Sequence, residues 1–268
     1  MVRAIPLRRP WLWLGSAVVV ALAVVLAVAI YRGHDIHGAA TAQLQFGPAM
    51  LRGLQITIVL AVLSEIIGIA LGILLAVMRL SPGTVLRLGS GFYVWLFRGT
   101  PLLVQILIWG NLALLFEYIG PFKTTTLMTP FVASVVALGL NEGAYMAEIM
   151  RAGIVAVDRG QLDASLALGM SSALALRRIV LPQALRAIVS PAGNQFISLL
   201  KATSLVSVIA GGDLLTVAEN ISPANLRSIE LTLVAALWYL VLTTVTSVGQ
   251  YFMERRLGRG GMGIHAGP

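Results

Sequence analysis

The chain has 268 residues, 58% of them hydrophobic and only 11% charged, with a mean hydropathy of +0.89. An ordinary soluble domain carries about a quarter charged residues, so this composition excludes one and reads as a protein that crosses a membrane several times. The net charge of +8 comes from arginines scattered between apolar runs without a basic face, which argues against nucleic-acid binding, and zero cysteine excludes disulfide and thiolate chemistry.

Trp11 to Ile30 is the first apolar run, preceded by Arg3, Arg8 and Arg9 and entered by two tryptophans. Ala27-Val28-Ala29 fits a small-x-small cleavage pattern, yet the run exceeds the roughly 7–15 apolar residues of a cleaved signal and reads as a retained anchor. Residues 1–47 thus form a cytoplasmic stub, a first span and an external connector. His34 and His37 in that connector read as part of a solvated loop rather than a metal site. Met50 to Met78 is a long helix closed by Arg79 and the Ser81-Pro82-Gly83 turn. Ser64, Gly68, Gly72 and Ala76 fall four apart, a stripe of small residues against which another helix of the same chain can pack closely. Leu86 to Phe97 is aromatic and too short to span, so it reads as a helix lying in the inner interface.

Thr100 to Ile119 is expected to cross outward, Gly120 to Met128 to form an external loop, and Thr129 to Ile149 to return. Pro191 to Ala210 crosses outward again, with Pro191 in the first turn. Gly211 to Arg227 is an external segment, Ser228 to Met253 the last span, and Gly260 to Pro268 a disordered tail. The result is an all-α polytopic protein of about six spans. Of the 19 Lys and Arg, fourteen fall on one side of this layout and four on the other, with Lys201 inside a span, which places both termini in the cytoplasm.

Between the fourth and fifth spans lies a polar stretch, Asp158 to Arg186, dense in arginine. Gln161 to Leu168 reads as a short helix stopped by Gly169. Ser171 caps a second, Ser172 to Val180, which Pro182 terminates. Leu162, Leu166, Leu168, Leu174 and Leu176 form an apolar ridge. Periodicity alone leaves two uses open, docking on a partner or resting on the bilayer surface.

Charges inside spans are the second signal, because each is costly near the bilayer centre. Lys201 lies ten residues past Pro191, roughly 15 Å along a helix, and Glu142 and Glu65 fall at similar depth. Asn141, Asn194, Gln195, Thr203 and Ser204 lie close by in sequence and complete a candidate polar lining. Two readings stand: a structural ion pair of Glu65 or Glu142 with Lys201, or direct contact with substrate, for which a cavity of both signs suits an amino acid zwitterion. Glu148 is assigned to the inner interface beside Arg151. The phosphate-binding pattern G-x-x-x-x-G-K-[ST] is absent, so any ATP that drives this protein is hydrolysed by another polypeptide.

Asp163-Ala164-Ser165, Gly169 and Ile179-Val180-Leu181-Pro182 resemble the EAA loop of bacterial ATP-binding-cassette importer permeases. Four further stretches extend the likeness in order: RGTPLLVQ (Arg98 to Gln105), GAYMAEIMRAGI (Gly143 to Ile154), LLKATSLVSVIA (Leu199 to Ala210) and ERRLGR (Glu254 to Arg259). Together they resemble the polar amino acid uptake branch over residues 48–259. The chain departs from it with Asp163 and Ser165 where Glu and Ala are usual, and with Ala202 where Asp is common after the Lys; Asp163 keeps the charge with a shorter reach. The resemblance implies the type I importer fold in a bacterial cytoplasmic membrane. It implies a translocation pathway for polar amino acids and a coupling loop made by Gln161, Asp163, Ala164, Gly169, Ile179, Leu181 and Pro182. Its implied partners are an ATPase dimer holding ATP and Mg, a second permease subunit, identical or paralogous, and an external solute-binding protein; it implies no cofactor on this chain. The rival is a proton- or sodium-coupled carrier using Glu65, Glu142 and Lys201, but such a carrier has no use for a docking elbow and no inverted repeat is visible. An intramembrane enzyme would need a metal set or a G-x-S-x-G turn, and neither occurs.

Overall fold

The computed structural model describes residues 46–225 and 228–258. The expectations for the first apolar run, for His34 and His37 and for the tail after Gly260 lie outside the described residues.

Helix α1 (Pro48–Leu80) opens with a proline in its first turn, where no N–H is missed, and closes with Arg79 beside its C-terminal carbonyls. Helices α2 (Thr84–Gly99) and α3 (Leu102–Gly110) follow, bent by 98° from one another at the Thr100-Pro101 break. A single turn, α4 (Leu112–Leu115), leads to a hairpin of β1 (Tyr118–Ile119) and β2 (Phe122–Lys123), antiparallel with Tyr118 opposite Lys123. After α5 (Thr124–Leu127) comes the central helix α6 (Pro130–Val155), capped by the Thr129 hydroxyl, which accepts from the Val132 N–H at 3.3 Å. Then follow α7 (Arg159–Ala167), α8 (Ser172–Ala175), a π-helical turn (Leu176–Val180), α9 (Leu181–Ala202), a 3₁₀ segment (Thr203–Ile209), α10 (Leu214–Asn225) and α11 (Ser228–Gly258).

The stripe of small residues does what its spacing predicts. Ser64, Gly68, Gly72 and Ala76 are all buried, and α6 lies against them so closely that a Cβ on Gly68 would sit 2.5 Å from Glu142 Cγ and one on Gly72 2.5 Å from Met146 Cβ. The fit is reciprocal, since Gly139 and Gly143 on α6 receive Ile67 and Leu71 of α1. Below this seam Leu60, Ile106, Ala137, Leu138, Leu199 and Val206 form the main apolar core. Helix α6 therefore packs against α1, α2, α3 and α9 at once.

Several boundaries differ from expectation. Pro182 does not end a helix; it occupies the first turn of α9, and Pro191 lies inside that helix instead of at its start. The π turn, in which the Leu181 N–H reaches Leu176 O, runs straight into α9, and Pro182 sits at this junction and not at a helix end. Pro191 is exposed in mid-helix. Thr100 to Ile119 is not one helix, because α3 stops at Gly110 and the hairpin begins at Tyr118. Within Gly211 to Arg227, expected as an external segment, twelve residues form α10. Among the described residues two helices, α1 and α11, are long and apolar enough to span a membrane, or up to four segments if each bent pair counts as one, so the six expected spans are not all matched. Helix α6, at 26 residues, has the length, but it buries Asn141 and Glu142 against protein instead of presenting an apolar coat to lipid.

Candidate functional site

The bend between α2 and α3 is where a polar site begins. Pro101 has no N–H, so the Phe97 carbonyl four residues earlier loses its helical partner. Two side-chain amides replace it: Gln105 Nε2 donates to Phe97 O at 2.9 Å and Asn141 Nδ2 donates to the same oxygen at 2.9 Å. Gln105 Nε2 also donates to Thr100 Oγ1 at 2.7 Å, and Asn141 Nδ2 to Gln105 Oε1 at 3.2 Å. The stretch RGTPLLVQ thus holds a break in the backbone with an amide seven residues into it, and α6 supplies the second amide.

Beside this bend opens a cleft of about 430 Å³ lined by residues of the bend, α6 and α9, among them Arg98, Asn141, Glu142, Tyr145, Gln195 and Ser198. Glu142 is buried, and its Oε2 accepts from Gln195 Nε2 at 3.0 Å, while its Oε1 has no partner among the described residues. Glu65 on α1 is not among the residues that line this cleft, and its Oε2 is likewise buried and unpartnered among the described residues. The Arg98 guanidinium stacks 5.2 Å from the Tyr145 ring centroid. Carboxylate, amides, hydroxyl and guanidinium therefore meet around one concavity, an arrangement able to hold a small molecule bearing both signs of charge.

Of the expected lining residues, Asn141 and Glu142 line the cleft, as does Gln195. Lys201 is exposed in the last turn of α9, and among the described residues no ion pair joins it to Glu65 or Glu142. Its expected depth was counted from Pro191 as a helix start, and that start is displaced to Leu181. Asn194 is exposed and outside the cleft. Thr203 is fully buried, donating to Leu200 O at 2.7 Å, and the half-buried Ser204 donates to Lys201 O at 2.8 Å, so both close the end of α9. Glu148 pairs with Arg151 at 2.8 Å, as its position suggested.

The elbow follows the end of α6. Asp158 Oδ1 caps α7 by accepting from Gly160 N at 2.8 Å, and Ser171 Oγ caps α8 by accepting from Leu174 N at 3.4 Å. Gly169, at φ +81°, closes α7: its N–H reaches Leu166 O and the Met170 N–H reaches Ser165 O, the paired bonds of a Schellman ending. Gln161, Asp163 and Ala164 are exposed on α7, Leu181 and Pro182 are exposed at the start of α9, and Ile179 is half-buried. The expected ridge is divided. Leu162, Leu166 and Leu176 face a hollow of about 370 Å³ shared with Ile154 and Val155 of α6, whereas Leu168 points outward at 84% exposure.

A second polar cluster centres on Asp213. Asp213 is fully buried ahead of α10, where it accepts from Leu215 N at 3.0 Å, Thr216 N at 3.2 Å, the Thr216 hydroxyl and Tyr239 Oη at 3.0 Å. Thr57 on α1 accepts from Leu214 N at 3.0 Å beside it, and Tyr239 also meets Thr203. An Asp just ahead of an apolar run is a capping signal that accounts for Leu215 and Thr216, but Tyr239 lies 26 residues on, too far away in sequence for that signal to reveal it.

The helical membrane bundle, its polar cleft and its exposed elbow define a permease subunit of the type I importer fold. Residues 68–259 match the family described as binding-protein-dependent transport system inner membrane component, and the chain belongs to that family. It is 40% identical over 269 residues to an arginine transport system permease protein, ArgU, of Corynebacterium glutamicum, spanning 97% of this chain and 84% of that one. It is 39% identical over 218 residues to the L-cystine transport system permease protein TcyB of Bacillus subtilis, spanning 81% and 90%. The solved structure of an amino acid ABC transporter with histidines superposes with a TM-score of 0.73 at 38% identity, covering 80% of this chain and 97% of that one. Family membership sets aside the ion-coupled carrier as the rival reading.

Proposed function

We propose that this subunit forms the pathway of an ATP-driven system for uptake of polar amino acids, with the cleft at Asn141, Glu142 and Gln195 as part of the route. The observation that carries the reading is the continuity of α6. One unbroken helix holds Glu142 in the cleft and ends at Val155 beside the elbow, about 20 Å away at 1.5 Å per residue. A push received by the elbow therefore moves the cleft wall as a rigid body, shifting the subunit between outward- and inward-open states.

In this reading the elbow docks on an ATPase dimer, which holds ATP and Mg and supplies the hydrolysis; this chain binds no cofactor. Asp163, Gln161 and Ala164 face the motor on α7, and Gly169 sets the angle between the two elbow helices. A second permease subunit, a copy or a paralogue, completes the pathway, and an external solute-binding protein delivers substrate. The membrane is the bacterial cytoplasmic membrane with both termini inside, as the arginine distribution favours. The names of the relatives, for arginine and cystine, support amino acids as the cargo.

The test is reconstitution of the assembled complex in vesicles with labelled Arg, Glu and Gln and with the binding protein present. ATP-dependent accumulation of at least one of them is expected. Accumulation of none, in a complex whose ATPase remains active, would contradict the assignment of substrate.

A further inference from the structure

The turn between α1 and α2 builds a second site, distinct from the cleft and from the elbow. A hollow of about 570 Å³ is lined by Arg79 from the end of α1 and by Arg87, Leu88, Gly91, Phe92 and Trp95 from α2. Among the described residues no acidic one lines it. Gly91 is what lets the arginine in, since a Cβ there would stand 2.3 Å from Arg79 Nη1, so the guanidinium lies directly over the helix backbone. Among the described residues neither guanidinium makes a hydrogen bond or ion pair, and Glu148, whose field reaches Arg79, is already held by Arg151 at 2.8 Å.

The rest of the hollow is apolar and uncovered. Leu88, Phe92 and Trp95 recur at helical spacing with exposures of 66%, 62% and 68%, and the Phe92 and Trp95 rings lie 5.7 Å apart. The opposite face of α2 is committed to the bundle: Ser90 and Val94 are buried, and Tyr93 Oη donates to Leu140 O at 2.8 Å. Helix α2 is thus fixed by one side and offers the other, with aromatics and arginines around one hollow. Aromatic rings favour the headgroup region, and guanidinium forks fit phosphate oxygens.

We propose that this hollow binds the phosphodiester headgroup of an anionic phospholipid from the adjoining leaflet, Arg79 and Arg87 holding the phosphate while Phe92 and Trp95 lie against the upper acyl chains. The charge of the site selects the lipid: two cations that make no ion pair among the described residues favour phosphatidylglycerol over phosphatidylcholine, by about fivefold for each arginine.

The assembled complex in nanodiscs carrying brominated phosphatidylglycerol or brominated phosphatidylcholine tests this through quenching of Trp95 fluorescence, isolated by difference against Trp95→Phe. Phosphatidylglycerol should quench at several-fold lower mole fraction, and R79A/R87A should bring the two lipids to parity. Should that double variant fail to insert, R87A alone should lower the preference by about fivefold, while R52A should leave it intact. Soluble glycerophosphate should not compete. Equal quenching by both lipids in the native chain would overturn the proposal. So would protection of Trp95 from both, the result expected if a second subunit covers this face, or full competition by glycerophosphate, the result expected of a free-anion site.

Discussion

Glu142 sets the electrical character of the cleft, because Gln195 occupies one carboxylate oxygen and the other is left facing no donor. A cationic group on a substrate would supply that donor, so Glu142→Gln should reduce uptake of Arg relative to Gln by roughly tenfold to a hundredfold, the range for losing a hydrogen bond to a charged group. Competition uptake in reconstituted vesicles measures this, and an unchanged Arg to Gln ratio would remove Glu142 from the pathway. Gly68 answers to packing alone. Gly68→Leu drives a side chain into Glu142 and should destabilise the subunit by about 1–3 kcal/mol, whereas Gly89→Ala, with nothing within 4 Å, should not lower its thermal midpoint in detergent. Asp213→Ala should cost about 3 kcal/mol or more, since it leaves the Thr216 hydroxyl and two backbone N–H groups without their acceptor in a buried place. The Ser64 to Ala76 stripe was legible because a period of four is a local property. Asp213 was not, because Thr57, whose hydroxyl takes the neighbouring N–H, stands 157 residues before Leu214 and its other partner lies on a different helix.

At the scale of elements, the elbow follows its sequence most closely. Gly169 takes the positive φ that its place after an Ala/Leu-rich run suggests, and Ser171 caps the next helix as read. Gly169→Val should leave the subunit inserted but unable to stimulate its ATPase, since a β-branched residue resists φ +81°. Unchanged stimulation would refute that. Asp158 and Asp163 separate by role, one a helix cap and the other an exposed charge with no partner among the described residues. Asp158→Asn keeps the cap and should leave assembly with the ATPase intact, while Asp163→Ala should weaken it by at most about 1 kcal/mol, as an exposed ion pair would. Co-purification titrations distinguish them, and equal effects would count against Asp163 as the contact. The misread elements share a cause. Proline marks a helix start as readily as an end, so Pro182 and Pro191 could not fix α9 by themselves, and the error carried forward to the depth of Lys201. The α2–α3 bend was hidden because its lock, Asn141, comes from a distant helix.

For the whole molecule, α6 is the element common to the glycine seam, the cleft and the elbow. It meets α1 along the glycine seam, walls the cleft with Asn141 and Glu142, and ends at the elbow. Its polarity, which keeps it from reading as a simple span, follows from being surrounded by protein. An account in which motor and cleft are joined by one rigid helix requires substrate choice and energy coupling to be separable by mutation yet dependent on the same complex. The most direct measurement is simultaneous uptake of labelled Arg, Glu and Gln and ATP hydrolysis in vesicles holding the assembled complex and its binding protein. Native subunits should accumulate at least one of the three only with ATP, Glu142→Gln should keep hydrolysis while altering uptake, and Gly169→Val should lose both. Accumulation of any of them driven by a proton or sodium gradient in the absence of ATP would contradict the account.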